Sequence, residues 1–239
     1  MPYDFLGLTN EVINRFNEVE LTAANFTSAR GFQVQCKNAV NDSYLWINQR
    51  EWQWPFNHAT ATATLVAGTT RYTKASTAKV VDYDTFRISK NATLGSPGHS
   101  LIKLDYKEYM DRFVDQEDDT STQGGLPKFV VRTPDDNFLL YPYPDKAYEL
   151  KYENFAFTTL LSASTDVPLV PEQYRNLLVD GACAYGYQYR GEIDQYQLNH
   201  KRFQDGITHM QSQLINRDDY LRSHMIVRSG GSRGYVRTS

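Results

Sequence analysis

The residues of this chain best equipped for chemistry are two cysteines, five histidines and a short acidic run, and none is spaced to perform it. Cys36 and Cys183 stand too far apart for a CxxC site and are too few for a disulfide framework. His58, His99, His200, His209 and His224 do not combine with them at zinc-ligand spacing. In the run holding Asp115, Glu117, Asp118 and Asp119, alternate acids imitate a calcium loop. Thr120, however, takes the position that demands Gly, and Leu126 the one that demands Glu. Asp82 and Asp84 flank Tyr83, yet Phe86 stands where a phosphatase-type DxDxT motif needs Thr. The P-loop, GxGxxG, GxSxG and HExxH patterns are all missing. Simpler readings fit each residue better. Cys36 shares a helical stripe with Phe32 and Val40, and Cys183 lies between Ala182 and Ala184, so both read as small buried hydrophobes. His200 falls on an apolar seam and reads as a packed or rim histidine, and the acids read as a solvated loop. The sequons at Asn25, Asn41 and Asn91 carry no meaning without secretion. The expectation is a protein with no catalytic residues, no metal and no cofactor.

Composition narrows the class further. The chain has 239 residues, 41% hydrophobic and 22% charged, which allows one large domain or two small ones with a real core. With 25 Lys and Arg against 28 Asp and Glu the net charge is −3, unlike a module that grips nucleic-acid phosphates. No apolar run approaches the roughly 20 residues that span a bilayer. The opening MPYDFLGLTNEV lacks the basic and apolar regions of a signal peptide, so folding in a reducing cytoplasm is expected. The 17 tyrosines suit half-buried sheets and interfaces.

Helical periodicity is confined to the two ends. Leu8, Val12, Phe16 and Val19 mark a first helix, with Asp4 or Thr9 as cap. A second runs over about 28–50, with Phe32, Cys36, Val40, Ser43 and Ile47 on one stripe, and ends before Trp54-Pro55. Strands follow at 59–66, 71–73, 79–88, 128–133, 137–143 and 148–157, rich in β-branched and aromatic residues. Pro134 to Asn137 signals a hairpin turn, and Pro142 and Pro144 place YPYP at a strand end or sheet edge. Asp105 with Glu108 forms a capping box for one short helix whose apolar face is Tyr106, Tyr109, Met110 and Phe113. After Pro168 and Pro171 a helix carries Tyr174, Leu178, Ala182, Tyr185 and Tyr189, and Gly191 ends it. Beside that stripe, Gly181, Ala184 and Gly186 let another helix approach closely. Then Ile193, Tyr196, His200, Phe203, Ile207, Met210 and Leu214 repeat as a heptad seam.

The fold class this predicts is α+β: a bundle of N- and C-terminal helices with a central all-β, sandwich- or barrel-like insertion projecting from it and a flexible C-terminal arm. The expected divisions are 1–51 and 166–222 for the bundle, 52–165 for the β domain and 223–239 for the arm. The last 14 residues hold Arg228, Arg233 and Arg237 without acids, and Val227, Tyr235 and Val236 as apolar anchors. At about 3.3 Å per residue such a segment reaches roughly 45 Å, far enough to dock on a neighbour.

Four segments in this order carry a resemblance to a known family: EWQWPFN (51–57), LVAGTTRYT (65–73), LLYPYPDKAYELKYE (139–153) and TDVPLVPEQYRNLLVDGACAYGY (165–187). The chain resembles the head-to-tail adaptors of tailed, short-tailed in particular, bacteriophages, of the tail tubular A or gatekeeper type. The resemblance implies a structural virion protein at the head-tail junction, assembled in the host cytoplasm as a ring of 12 copies. Such a ring docks under the portal protein, joins it to the tail nozzle protein and lets DNA pass without sequence-specific binding, away from any membrane. It implies a portal-docking arm in Val227, Arg228, Arg233, Tyr235, Val236 and Arg237. Packing within the bundle or between subunits is expected from Gly181, Ala184, Gly186, Tyr196, Phe203, Ile207 and Met210. Asp115, Glu117, Asp118 and Asp119 are candidates to face the nozzle. The competing reading is a carbohydrate-binding or other tail component that uses the aromatic-rich β domain as a platform.

Overall fold

A computed structural model describes residues 1–91, 95, 97–114 and 124–215. The chain divides into two compact units: Met1–Phe56 together with the chain from Leu160, and Asn57–Thr159. Among the described residues the first is helical and the second carries every strand, so the fold is α+β with the β segment inserted between helices.

In the helical unit α1 spans Phe5–Arg15 and α2 Phe32–Arg50. Asp4 caps α1, its Oδ1 accepting the Gly7 N–H at 2.7 Å. Thr9 lies inside the helix, its hydroxyl donating to the Phe5 carbonyl, and so is not the cap. α1 stops at Arg15, leaving Val19 in a loop and in water. The second helix starts at Phe32 rather than near 28, because Gly31 takes a left-handed φ of 58° that breaks the periodic run. Beyond α2, Trp54 folds back and its indole N–H donates to the Ile47 carbonyl at 2.7 Å. After Pro171 and one 3₁₀ turn, α4 runs Arg175–Arg190, and the left-handed Gly191 hands it over to α5, Ile193–Leu214. α4 is central, packed on α1, α2 and α5. The core takes Phe203, Ile207 and Met210 of the heptad seam, but Ile193 is exposed and Tyr196 and His200 are only half-buried.

The inserted unit has two sheets. One contains β1 (His58–Thr64), β3 (Ala78–Val81), β4 (Arg87–Ile88), β5 (His99–Ser100) and β9 (Glu149–Ala156). Its order is β1-β9-β4-β5, with β3 also on β9. The other runs β2-β8-β7-β6, from Arg71–Tyr72, Phe138–Tyr141, Phe129–Arg132 and Ile102–Leu104. Both contribute to one core around Phe86, Phe138, Leu140, Leu150 and Tyr152. The second sheet's other face is covered by α3, Tyr106–Arg112, through Tyr109 against Val131 and Leu139. Burial on both faces is why FVVR and FLLY read as continuous apolar runs.

Three local expectations are corrected. Residues 79–88 are not one strand: Asp82 accepts the Asp84 N–H with its carboxylate and the Thr85 N–H with its carbonyl, and this Asx turn divides β3 from β4. In α3 Asp105 is the cap, but Glu108 pairs with Arg112 at 2.7 Å. Met110 is exposed, since only the Tyr109 side of this two-turn helix meets the sheet.

Candidate functional site

Both thiols are buried in the helical unit, and burial pushes Cys36 up to about 12 and Cys183 up to about 11. A thiol held protonated at neutral pH is neither nucleophile nor metal ligand. Iodoacetamide at pH 8 is therefore expected to label either cysteine at least about tenfold more slowly in the folded protein than in urea. Mass spectrometry of timed digests checks this. Asp82 forms the turn described above, and His200 stacks on Tyr196 and bonds Gln204. Among the described residues no three His, Cys, Asp or Glu side chains gather as metal ligands. Asp115, Glu117, Asp118 and Asp119, and the arm residues Val227, Arg228, Arg233, Tyr235, Val236 and Arg237, lie outside the described residues.

What the helical unit does hold is a tightly fitted frame with exposed apolar faces. Gly181, Ala184 and Gly186 are all buried on α4. A Cβ at Gly181 would stand 2.7 Å from the Phe203 ring and 2.8 Å from the Ser43 Cβ, and one at Gly186 would stand 2.6 Å from the Phe16 ring. Gly206, which sequence reasoning missed, does the same for Leu177 from α5. Its signal was present, three residues after Phe203 on the seam.

Ion pairs across large sequence separations close the frame. Arg15 pairs with Asp180, Arg175 with Glu11 at 2.6 Å, and Arg190 with Glu18 at 2.6 Å. Arg175 also donates to the Met1 and Pro2 carbonyls, tying down the N-terminus. Arg190 lies over the rings of Phe16 and Phe32. None of these pairs has a local sequence signal.

Two surface grooves follow from this arrangement. Between α1, α4 and α5 lies an open, polar groove of about 640 Å³ holding Arg15, Asp180, Gln195 and Arg202. Between α2 and α5 a cleft of about 230 Å³ places Trp46 and Arg50 opposite Asp205 and Thr208. Leu45 and Trp46 of α2, and Tyr189, Ile193 and Leu198 near the α4–α5 turn, stand exposed. Large apolar side chains left in water on a well-packed frame are suited to binding a protein.

Within the β unit the largest aromatic cluster points into that unit's own core. Phe86 stacks on Tyr152 and Tyr83, and Phe138 on Tyr72. Among its described residues only Phe157 keeps an aromatic ring largely in water. A sugar platform needs exposed rings; Tyr83, Phe86, Phe138 and Tyr152 are spent on the core, while Tyr72, Tyr141 and Phe155 stay half-buried.

Compared with known protein families, the chain matches the one described as SU10 adaptor protein, over residues 3–228. No curated protein matches it.

Proposed function

Because the chain belongs to the SU10 adaptor protein family, a family of phage head-to-tail adaptors, it is a structural component of the virion, and we propose how it serves there. It works by binding alone, as one subunit of a closed ring of 12 copies seated beneath the portal and above the tail nozzle. The observation that carries this reading is the family match, which runs through both units.

Ring closure needs a heterologous contact, one face of a subunit meeting a different face of the next, and such obligate contacts bury more than about 2,000 Å². The helical unit supplies two unlike apolar faces, Leu45 and Trp46 on α2 and Tyr189, Ile193 and Leu198 at the α4–α5 turn. The β unit and the acidic segment of Asp115, Glu117, Asp118 and Asp119 face the nozzle. A net charge of −3 suits a channel wall past which DNA slides without being held.

The segment 226–239 is the portal-docking arm. Arg228, Arg233 and Arg237 supply charge, and Val227, Tyr235 and Val236 supply the anchors. Deleting 226–239 is expected to leave the folded protein intact while abolishing its attachment to purified portal rings, read as mass by light scattering on a sizing column. Unchanged attachment of the truncated chain overturns the arm's role. Failure of the full chain to bind its own portal overturns the ring reading itself.

A further inference from the structure

Of the outer strands in the described structure, β1 is the longest, seven residues that leave one edge of the backbone open. β1 pairs only with β9, in unbroken register from His58 opposite Phe155 to Thr64 opposite Glu149. The Leu65 N–H, one residue on, donates to the Tyr148 carbonyl at 2.8 Å. In an antiparallel pair the bonding direction alternates by residue. Ala59, Ala61 and Ala63 therefore share the direction of Leu65 and point their amides at β9, and Thr60, Thr62 and Thr64 point theirs away. Bonds from Asp82 and Ser89 to the Glu153 and Glu149 carbonyls, on the far side of β9, confirm this parity. Among the described residues nothing receives the outward amides of the three threonines, and all three residues are exposed.

Every other outer strand carries a device that discourages pairing. β3 has Lys79 and a register shift, β2 is two residues long with Arg71, β6 three with Lys103, and β5 two. Natural sheets blunt their edges by such shortness, bulges and charges. β1 has seven residues, no bulge, no Pro, no Gly, and no Lys, Arg, Asp or Glu; its His58 is engaged with Glu153.

We infer that β1 is a strand-addition site and that its occupant is β1 of a second copy, paired antiparallel about a two-fold axis at Thr62. The sequence of the strand selects this partner. In that register Thr62 faces Thr62, Thr60 faces Thr64 and Ala61 faces Ala63, so the HATATAT alternation is its own complement. Threonine hydroxyls meet on one face, methyls meet on the other, and no like charges are opposed. The pair adds roughly six backbone hydrogen bonds across the axis. It joins two five-stranded sheets into one. A contact of this size falls below the roughly 1,200 Å² of stable complexes, so the dimer is reversible. A two-fold contact is isologous and has no place among the heterologous contacts of a cyclic ring. The dimer is thus a form of the free chain, one that keeps β1 covered before assembly; only this last role rests on the ring reading.

Sedimentation equilibrium of the full chain from about 10 µM to 1 mM tests the pairing, that range being the weak end of protein association. The wild type is expected to shift from monomer to dimer. Thr62→Pro removes only an outward N–H, so the β1–β9 ladder survives and dimerisation is expected to weaken at least about tenfold. Thr62→Lys, which opposes a charge to itself, is expected to weaken it in a way that added salt relieves. Because Cys36 and Cys183 are buried, Thr62→Cys is expected to cross-link through its new thiol alone on mild oxidation. A wild type that stays monomeric at 1 mM, a dimer indifferent to Thr62→Pro, or a Thr62→Cys chain that forms no covalent dimer each overturns the inference. Portal attachment by Thr62→Pro, measured in parallel, judges the ring reading separately.

Discussion

Gly181→Val is expected to lower the stability of the helical unit by about 3 kcal/mol, the upper end of the usual cost of overpacking. The added Cβ alone would sit 2.7 Å from the Phe203 ring and 2.8 Å from the Ser43 Cβ. Neither neighbour can yield. Phe203 is buried on α5, and Ser43 on α2 is held by its hydroxyl donating to the Leu178 carbonyl at 3.1 Å. The site is therefore squeezed from two helices at once, and accommodating any side chain forces α4 away from both. Gly206 provides the contrast. A Cβ there meets the Cδ1 of Leu177 at 2.7 Å, the far end of a flexible side chain, which can swing aside. Gly206→Ala is therefore expected to be neutral or to gain up to about 1 kcal/mol from helix propensity. Urea unfolding followed by tryptophan fluorescence reads the comparison cleanly, because Trp46, Trp52 and Trp54 all belong to the helical unit. Equal midpoints for Gly181→Val and the wild type would show that α4 does not sit against both partners. Since the proposed subunit contacts lie on this same frame, the variant should also fail to form rings on the portal.

Phe86→Ala is expected to cost the β unit about 4 kcal/mol, in the range measured for truncating buried aromatics. Phe86 is fully buried at the centre of the unit. It stacks on Tyr152 with ring centroids 4.6 Å apart and on Tyr83 at 5.4 Å, and meets Phe138 edge-on at 5.1 Å. Tyr152 comes from one sheet and Phe138 from the other, so deleting the ring opens a cavity where both sheets depend on it. Near-UV circular dichroism in the tyrosine band during urea unfolding, to which both units contribute, follows the loss as a transition that shifts while the tryptophan one stays. The tryptophan transition of the helical unit provides the reference. A cost under about 1 kcal/mol would mean that the sheets do not close over this ring, contrary to the burial seen.

Short-range chemistry made much of this legible without coordinates. Asp4 and Asp105 caps, the Gly191 stop, the Pro134–Asn137 hairpin and the apolar faces of α1, α2 and α4 depend on residues within one turn of each other. Their order alone, helices then strands then helices, settles the α+β class. The division of 79–88 into β3 and β4 was missed because Val80, Val81 and Phe86 hide the Asx turn between them; β propensity outweighed a turn signal that was there to be read. Spacing places Val19 and Met110 on apolar faces, yet both are exposed, because spacing records which residues could share a side, not where a helix or its partner ends. The same holds for Ile193 at the open end of the seam.

The sequence by itself determined that the P-loop, GxGxxG, GxSxG and HExxH patterns are missing, that the helices lie at both ends and the strands between, and that the chain resembles a phage adaptor. Only the tertiary structure decided which aromatics are core and which are surface, that Arg15 meets Asp180 and Arg190 meets Glu18, and that the Ala-Thr strand stands at an open edge. The physical reason is range. Caps, turns and periodicity are set by dihedral preferences and side chains a few residues apart. Burial, charge pairing and strand neighbours depend on segments separated by as many as 172 residues, as with Arg190 and Glu18, and local spacing holds no record of them.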